Sequence, residues 1–391
     1  MALVFLALGA CGQDTGSSNG VDRTTGALAL GDALPNLTSA QAAAFAAGRD
    51  EFMEAESVAD GLGPVFNGTS CVGCHSAPVV GGAGTTRDTR IGTLINGVFN
   101  GLVNQGGSLL QSQGIGAVNG CNVQGEVVPP SATIVTLRRP TPLFGLGLVD
   151  ATPDQTFLDL AAAQTGDPDG VSGRPNMVAD LVVGGTRVGR FGWKAATPNL
   201  TQQAAAAYFN EMGITTSFFP ADPCPQGDCN QQACDGVPGL EDAGDGVDAF
   251  ATFMRFLAPP PVPTLTGQAR AGAAFFTQLG CATCHVPSLS TGASPVAALD
   301  HVSYAPYSDF LLHDMGALGD GILQGQATGA EMRTAPLWGV SSQPFFLHDG
   351  RATTLAAAIL AHDGEARPAR DRFAALETPN QQMVLAFLGA L

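Results

Sequence analysis

The sequence predicts a mainly α fold: two fused domains with long loops and minor β insertions. Three observations carry this. The motif Cys-x-x-Cys-His occurs twice, as Cys71-Val-Gly-Cys74-His75 and Cys281-Ala-Thr-Cys284-His285. An Ala-rich segment with apolar residues at helical spacing stands ahead of each copy. A proline-rich stretch, Ala258-Pro-Pro-Pro-Val-Pro263, separates them. The bounds that follow are a signal-like segment over 1–11, a flexible tether over 12–37, a first domain over 38–258, a linker over 259–264 and a second domain over 265–391.

The elements follow in chain order. Residues 1–10 are mostly apolar, and Leu8-Gly-Ala-Cys11 resembles a bacterial lipoprotein processing site. The expectation is export to the periplasmic side of a bacterial membrane or the cell surface, with attachment by lipid only. Residues 38–60 read mostly as helix, with Thr38 or Ser39 as N-cap. Residues 79–130 are rich in Gly, Val and Asn and suit short strands or an extended insertion. A helix over 198–212 places Pro198 in its first turn, where proline is tolerated. Residues 221–246 read as a surface loop whose aspartates admit calcium, although no complete calcium-loop pattern is present. Val247–Leu257 reads as the last helix of the first domain. The second domain opens with a helix over 267–280, its apolar face being Ala271, Phe275 and Leu279, and closes with a helix over 379–390.

Cys-x-x-Cys-His is the attachment signature of c-type haem. The thiols add to the haem vinyl groups, and the adjacent histidine ligates the iron. A zinc site built from each copy would lack a fourth ligand. Two covalently bound haem c groups follow, held by Cys71, Cys74, Cys281 and Cys284 with His75 and His285 as proximal ligands. A helix before the motif and another at the domain's end are what a cytochrome c-like domain requires. Of nine cysteines, Cys121, Cys224, Cys229 and Cys234 remain once the haems and Cys11 are assigned, which suggests two disulfides of open connectivity. The formal charge of −17 excludes nucleic acid as a partner and would steer a basic electron carrier.

Several phrases identify a resemblance. They are Arg138-Arg-Pro-Thr-Pro-Leu-Phe-Gly-Leu-Gly-Leu148, Ser172-Gly-Arg-Pro-Asn176, Gly189-Arg-Phe-Gly-Trp-Lys194, Leu311-Leu-His-Asp-Met-Gly316, Arg333-Thr-Ala-Pro-Leu-Trp-Gly339 and Phe346-Leu-His-Asp-Gly-Arg-Ala352. Over roughly 55–391 the chain resembles the di-haem oxidoreductase family, also labelled thiol oxidoreductases. That family looks related to bacterial di-haem cytochrome c peroxidases and to MauG-type enzymes that oxidise protein side chains. The resemblance implies a reactive N-terminal haem 1 and an electron-storing C-terminal haem 2. It implies Trp193 between them, with Gln203 and Glu211 lining the reactive pocket. Glu211 lies eight residues after Gln203, a spacing that is not the relatives' own. The thiol-oxidising label finds no spare Cys-x-x-Cys here.

The histidine distribution sharpens this. His75 is the one histidine before residue 285, so no distal histidine of the first domain can close haem 1. Met177 and Met212 are the alternatives. For haem 2 the axial candidates in its domain are His313, His348, His362, Met315 and Met332, with Met332 favoured, then His348 and His313. Arg138, Arg174, Arg190 and Arg333 are candidates to neutralise haem carboxylates. The leading function is a peroxidase that takes electrons from a small cytochrome c or cupredoxin. The alternatives are a MauG-type oxidase acting on a protein substrate, a dioxygenase like the distant rubber-cleaving di-haem relatives, and a di-haem electron carrier without catalysis.

Overall fold

The computed structural model describes residues 28–391 except 119, 235 and 238. The segment ending at Cys11 and the tether up to residue 27 lie outside the described residues. No helix among the described residues is long and apolar enough to cross a membrane.

The helices are α1 (Ser39–Met53), α2 (Leu146–Asp150), α3 (Asp154–Ala163), α4 (Leu200–Ala207), α5 (Asp245–Phe256), α6 (Gly267–Gln278), α7 (Leu355–Leu360), α8 (Arg367–Ala374) and α9 (Thr378–Leu388). Thr38 starts α1 with a capping box: its hydroxyl accepts from Gln41 N while the Gln41 side chain accepts from Thr38 N. Two helix pairs repeat one design. α1 packs on α5, and α6 packs on α9. Each crossing has a glycine at closest approach. A Cβ at Gly48 would strike the Ala249 carbonyl, and one at Gly272 would strike the Met383 carbonyl. The buried stripe of α6 is Gly272 and Phe276, with Leu279 just beyond its end. It is therefore rotated by one residue from the expected Ala271–Phe275 stripe.

The expectation of a mainly α chain is overturned. Of the described residues, 35% are helical, short turns included, and 16% are extended. The chain between helices pairs instead of looping freely. Strand Asp88–Ile95 turns back into Val98–Asn100 through Asn96-Gly97, both at positive φ (51° and 81°), as a two-residue hairpin requires. The same strand pairs antiparallel with Leu109–Leu110 and Ile134–Arg138. Further hairpins join Asn176–Ala179 to Thr186–Gly189 and Leu312–Asp314 to Glu331–Arg333. Disulfides Cys121–Cys234 and Cys224–Cys229 staple the insertion and the 221–246 loop. That loop's acids are engaged locally: Asp242 accepts from Gly246 N and Val247 N at the start of α5, Asp228 from Asn230 N, and Glu241 from Thr215 N.

The larger core gathers Phe45, Phe52, Phe250 and Phe253 of the α1/α5 pair. It continues past the prolines to Leu289, Tyr304, Leu311 and Trp338. A smaller core joins Phe276, Phe373, Phe387 and Leu388.

Candidate functional site

Both Cys-x-x-Cys-His segments fold as one tight turn. His75 N donates to Cys71 O at 3.0 Å, and His285 N donates to Cys281 O at 3.0 Å. The turn brings two thiols and an imidazole to one side. The thiols are unpaired, and burial raises Cys71 to about 12 and both Cys74 and Cys281 to about 11. His75 Nδ1–H donates to Gly82 O at 3.1 Å, and His285 Nδ1–H donates to Tyr307 O at 3.0 Å. Each ring is thereby held in the tautomer that leaves Nε2 free for a metal. Burial lowers both to about 4, so both rings are neutral at pH 7. A helix phenylalanine packs by each ring: Phe52 at 6.1 Å from His75 and Phe276 at 6.3 Å from His285. This donor set fits two haems of the c type.

Beside the first turn stands a carboxyl pair. A single π-helical turn, Tyr208–Met212, follows α4 and carries Glu211. Asn67 N and Gly68 N, from the loop leading into Cys71, both donate to Glu211 O. Asn67 Nδ2 donates to Glu211 Oε2 at 3.0 Å. The Glu211 side chain keeps about a third of its surface open (31%). Burial, with the charge of Asp88 beside it, raises Glu211 to about 8, and burial raises Asp88 as well. Arg90 lies by both acids, its Nη2 at 3.7 Å from Asp88 and 3.9 Å from Glu211. Gln203, on α4, accepts from Thr197 Oγ1 at 2.6 Å. Met212 is core, and Met177 packs against that core.

The second turn opens on a cavity whose wall includes Cys281, Cys284 and His285. His362, also in that wall, faces His285 with ring centres 6.4 Å apart. Its Nδ1–H donates to Ala358 O at 2.8 Å, leaving Nε2 free. Two imidazoles on opposite sides of one iron, each about 2 Å from it, place their ring centres about 6 Å apart. His285 and His362 are therefore spaced as two imidazoles that could hold one metal between them. His313 is excluded by its partners: Nε2 meets Asp309 at 2.9 Å and Nδ1 meets Glu365 at 2.8 Å. Those carboxylates raise it well above its ordinary value against the effect of burial, so it is an imidazolium with no lone pair to give. Met332 and His348 line the same cavity. His348 meets the Trp193 ring edge-on at 6.3 Å.

The buried Trp193 indole donates to Arg139 O at 2.7 Å, and its backbone carbonyl accepts from Arg333 N at 2.8 Å. Three of the expected arginines already hold carboxylates: Arg138 holds Asp320, Arg174 holds Glu331 and Arg190 holds Asp154. Arg333 is buried on the cavity wall and bonds only carbonyls, Gly192 O and Thr334 O. Arg139 stacks over Trp193 at 5.6 Å, and its Nη1 is buried without a hydrogen-bond partner among the described residues. Arg139 and Arg333 are thus the guanidinium groups suited to haem carboxylates at this cavity. Among the described residues, one cluster has metal-ligand spacing, Cys284, Asp309 and His313. Its thiol belongs to the haem turn and its histidine is fully engaged, so it offers calcium nothing.

Sequence reading missed Asp88, Arg90 and Arg139, and it passed over His362 in favour of Met332, His348 and His313. The first two are far from Glu211 in the chain. His362-Asp363 looks no different from His313-Asp314 and His348-Asp349.

The family described as "Di-haem oxidoreductase, putative peroxidase" matches residues 115–391. No curated protein matches the chain. Among solved structures, the chain is similar to hydrazine synthase of Kuenenia stuttgartiensis, at 15% identity and TM-score 0.40 over 100% of this chain and 99% of that one. It is also similar to the diheme peroxidase BthA of Burkholderia thailandensis, at 15% identity and TM-score 0.30 over 73% of this chain and 94% of that one. Likenesses this distant carry no argument about chemistry.

Proposed function

From the premise that the chain belongs to the di-haem oxidoreductase family and is an oxidoreductase, we propose that it is a peroxidase. Hydrogen peroxide is reduced beside Cys71–His75, and electrons arrive through the site of Cys281–His285. The observation that carries this reading is the contrast between the sites. The acid pair Asp88 and Glu211 stands with Arg90 at the first, while a second imidazole faces the proximal one at the second. Cys71, Cys74, Cys281 and Cys284 would hold the two haems, and His285 and His362 together would hold the second. The two disulfides support an oxidising compartment outside the cytoplasm.

The overall change is H2O2 plus two electrons and two protons giving two waters. Bound haem supplies electrons to the O–O bond. The chain's own groups manage the protons. The Asp88 carboxylate accepts a proton from one peroxide oxygen. Glu211, protonated at neutral pH, donates to the other oxygen as it leaves as water. The Arg90 charge stabilises the negative charge developing there. Asn67 keeps the Glu211 carboxyl aimed through its amide. Trp193, fixed at both its ring nitrogen and its carbonyl, stands on the wall of the haem 2 cavity as the relay between the sites. The electron donor is a small redox protein of the cytochrome c or cupredoxin kind, steered by the acidic surface.

The test is stopped-flow oxidation of reduced cytochrome c by the haem-loaded protein with and without peroxide. Two equivalents oxidised per peroxide support the reading. Peroxide-independent exchange of electrons alone would leave an electron carrier.

A further inference from the structure

A second cavity, about 430 Å³, lies on the insertion side of the carboxyl pair. That volume admits small molecules. The turn bearing Glu211 forms one wall through Phe209 and Asn210. The insertion contributes Leu109 and Gln111, and Gln324 closes the far side. Arg90 belongs to this lining and also lies beside Asp88 and Glu211, so it is the partition between cavity and acid pair.

The partition is loosely held. Arg90 Nε is buried and has no hydrogen-bond partner among the described residues. Its two carboxylate contacts, 3.7 and 3.9 Å, are longer than hydrogen bonds. The surrounding wall is fixed by contrast: Gln111 Nε2 donates to Asn210 O, and the Glu211 carbonyl accepts two backbone N–H groups. A small displacement of the guanidinium therefore joins the cavity to the carboxyls without moving the turn.

The lining also selects. Phe209, on the cavity wall, is stacked on Phe219 at 5.3 Å. Arg90 is the one cation of the lining and Asp222 the one anion, and the remainder is neutral, so no net charge draws an ion. Such a space suits a small neutral polar molecule that travels with water.

The geometry points to this cavity as the route by which hydrogen peroxide reaches haem 1, with Arg90 as its movable stop. The inference rests on the peroxidase reading and adds the path and the gate. The rim offers a test that spares the acids. Val103 and Leu323 line the mouth and are 81% and 46% exposed, so Val103→Trp with Leu323→Trp fills the opening without touching the core.

The probe is cyanide binding to the oxidised, haem-loaded protein, followed by stopped flow. Blocking a route slows arrival and departure alike. The association and dissociation rates should both fall by the same factor, about tenfold, leaving the affinity unchanged. The rate of reaction with peroxide should fall in parallel. An unchanged association rate would overturn the route, as would a fall matched by weakened affinity. Slowed cyanide binding in a protein that turns over no peroxide would keep the route and sink the peroxidase reading.

Discussion

The two Cys-x-x-Cys-His regions share a frame and differ in what they set against the haem. In both, a turn gathers two thiols and an imidazole, a backbone carbonyl fixes the imidazole, and a helix phenylalanine packs beside it. In both, two helices cross at a glycine. At the first, the group nearby is Glu211 with Asp88 and Arg90. At the second it is His362. In the proposed peroxidase reading, one scaffold serves two tasks: the acid pair serves bond cleavage, and the second imidazole suits storage of an electron. The helix pairs build the frame, and residues far away in sequence assign the task.

The comparison breaks most severely at Glu211. Glu211→Gln should lower the rate of reaction with peroxide about 10²- to 10⁴-fold, the usual worth of a positioned acid–base group, in stopped-flow traces. Electron uptake by haem 2 should be unaffected.

His362→Ala should make the second region resemble the first. The low-spin signal of haem 2 should convert to high spin in electron paramagnetic resonance, with haem 1 unaltered. Retention of the low-spin signal would return the ligand role to Met332 or His348.

The His313 clamp exists at the second region only. Removing one member of a buried ion pair costs about 3–5 kcal/mol, so His313→Gln should lower the denaturation midpoint clearly. The sign with pH follows from the raised His313 and the lowered Glu365. The clamp is complete above the ordinary Glu value of 4.5 and below the ordinary His value of 6.5. Stability is lost as pH falls through the lowered Glu365 pKa, and also as it rises through the raised His313 pKa. The gap between wild type and variant should be widest in that window and shrink in alkali.

The smallest effect sharpens the acid pair. Because Glu211 acts while protonated, the peroxide rate should decline as pH rises through about 8. Asp88→Asn removes a charge that raises Glu211, so the decline should move to lower pH. A pH–rate profile of both proteins checks this.

Much of the frame was legible in the sequence. The haem turns, α1, α6 and α9 each announce themselves through a motif or a local period. The β content was not, because the Gly-rich insertion has little periodicity and its pairing is set by distant partners such as Ile134–Arg138. Arg138 and Arg139 show the limit of reading a phrase without its geometry. They are neighbours at a strand end, and the alternation of strand side chains sends one to Asp320 and the other to Trp193. Glu211 could be placed by resemblance, yet its companions arrive on a sheet strand more than a hundred residues earlier. His362 hid among three His-Asp pairs and is distinguished only by facing His285.

Haem 1 open to peroxide and haem 2 held by both His285 and His362 is the distinction on which the peroxidase reading stands. It can be checked by electron paramagnetic resonance of the oxidised, haem-loaded protein. One high-spin haem and one low-spin haem with bis-histidine character are expected. Two low-spin haems, or a low-spin haem with histidine–methionine character, would contradict it.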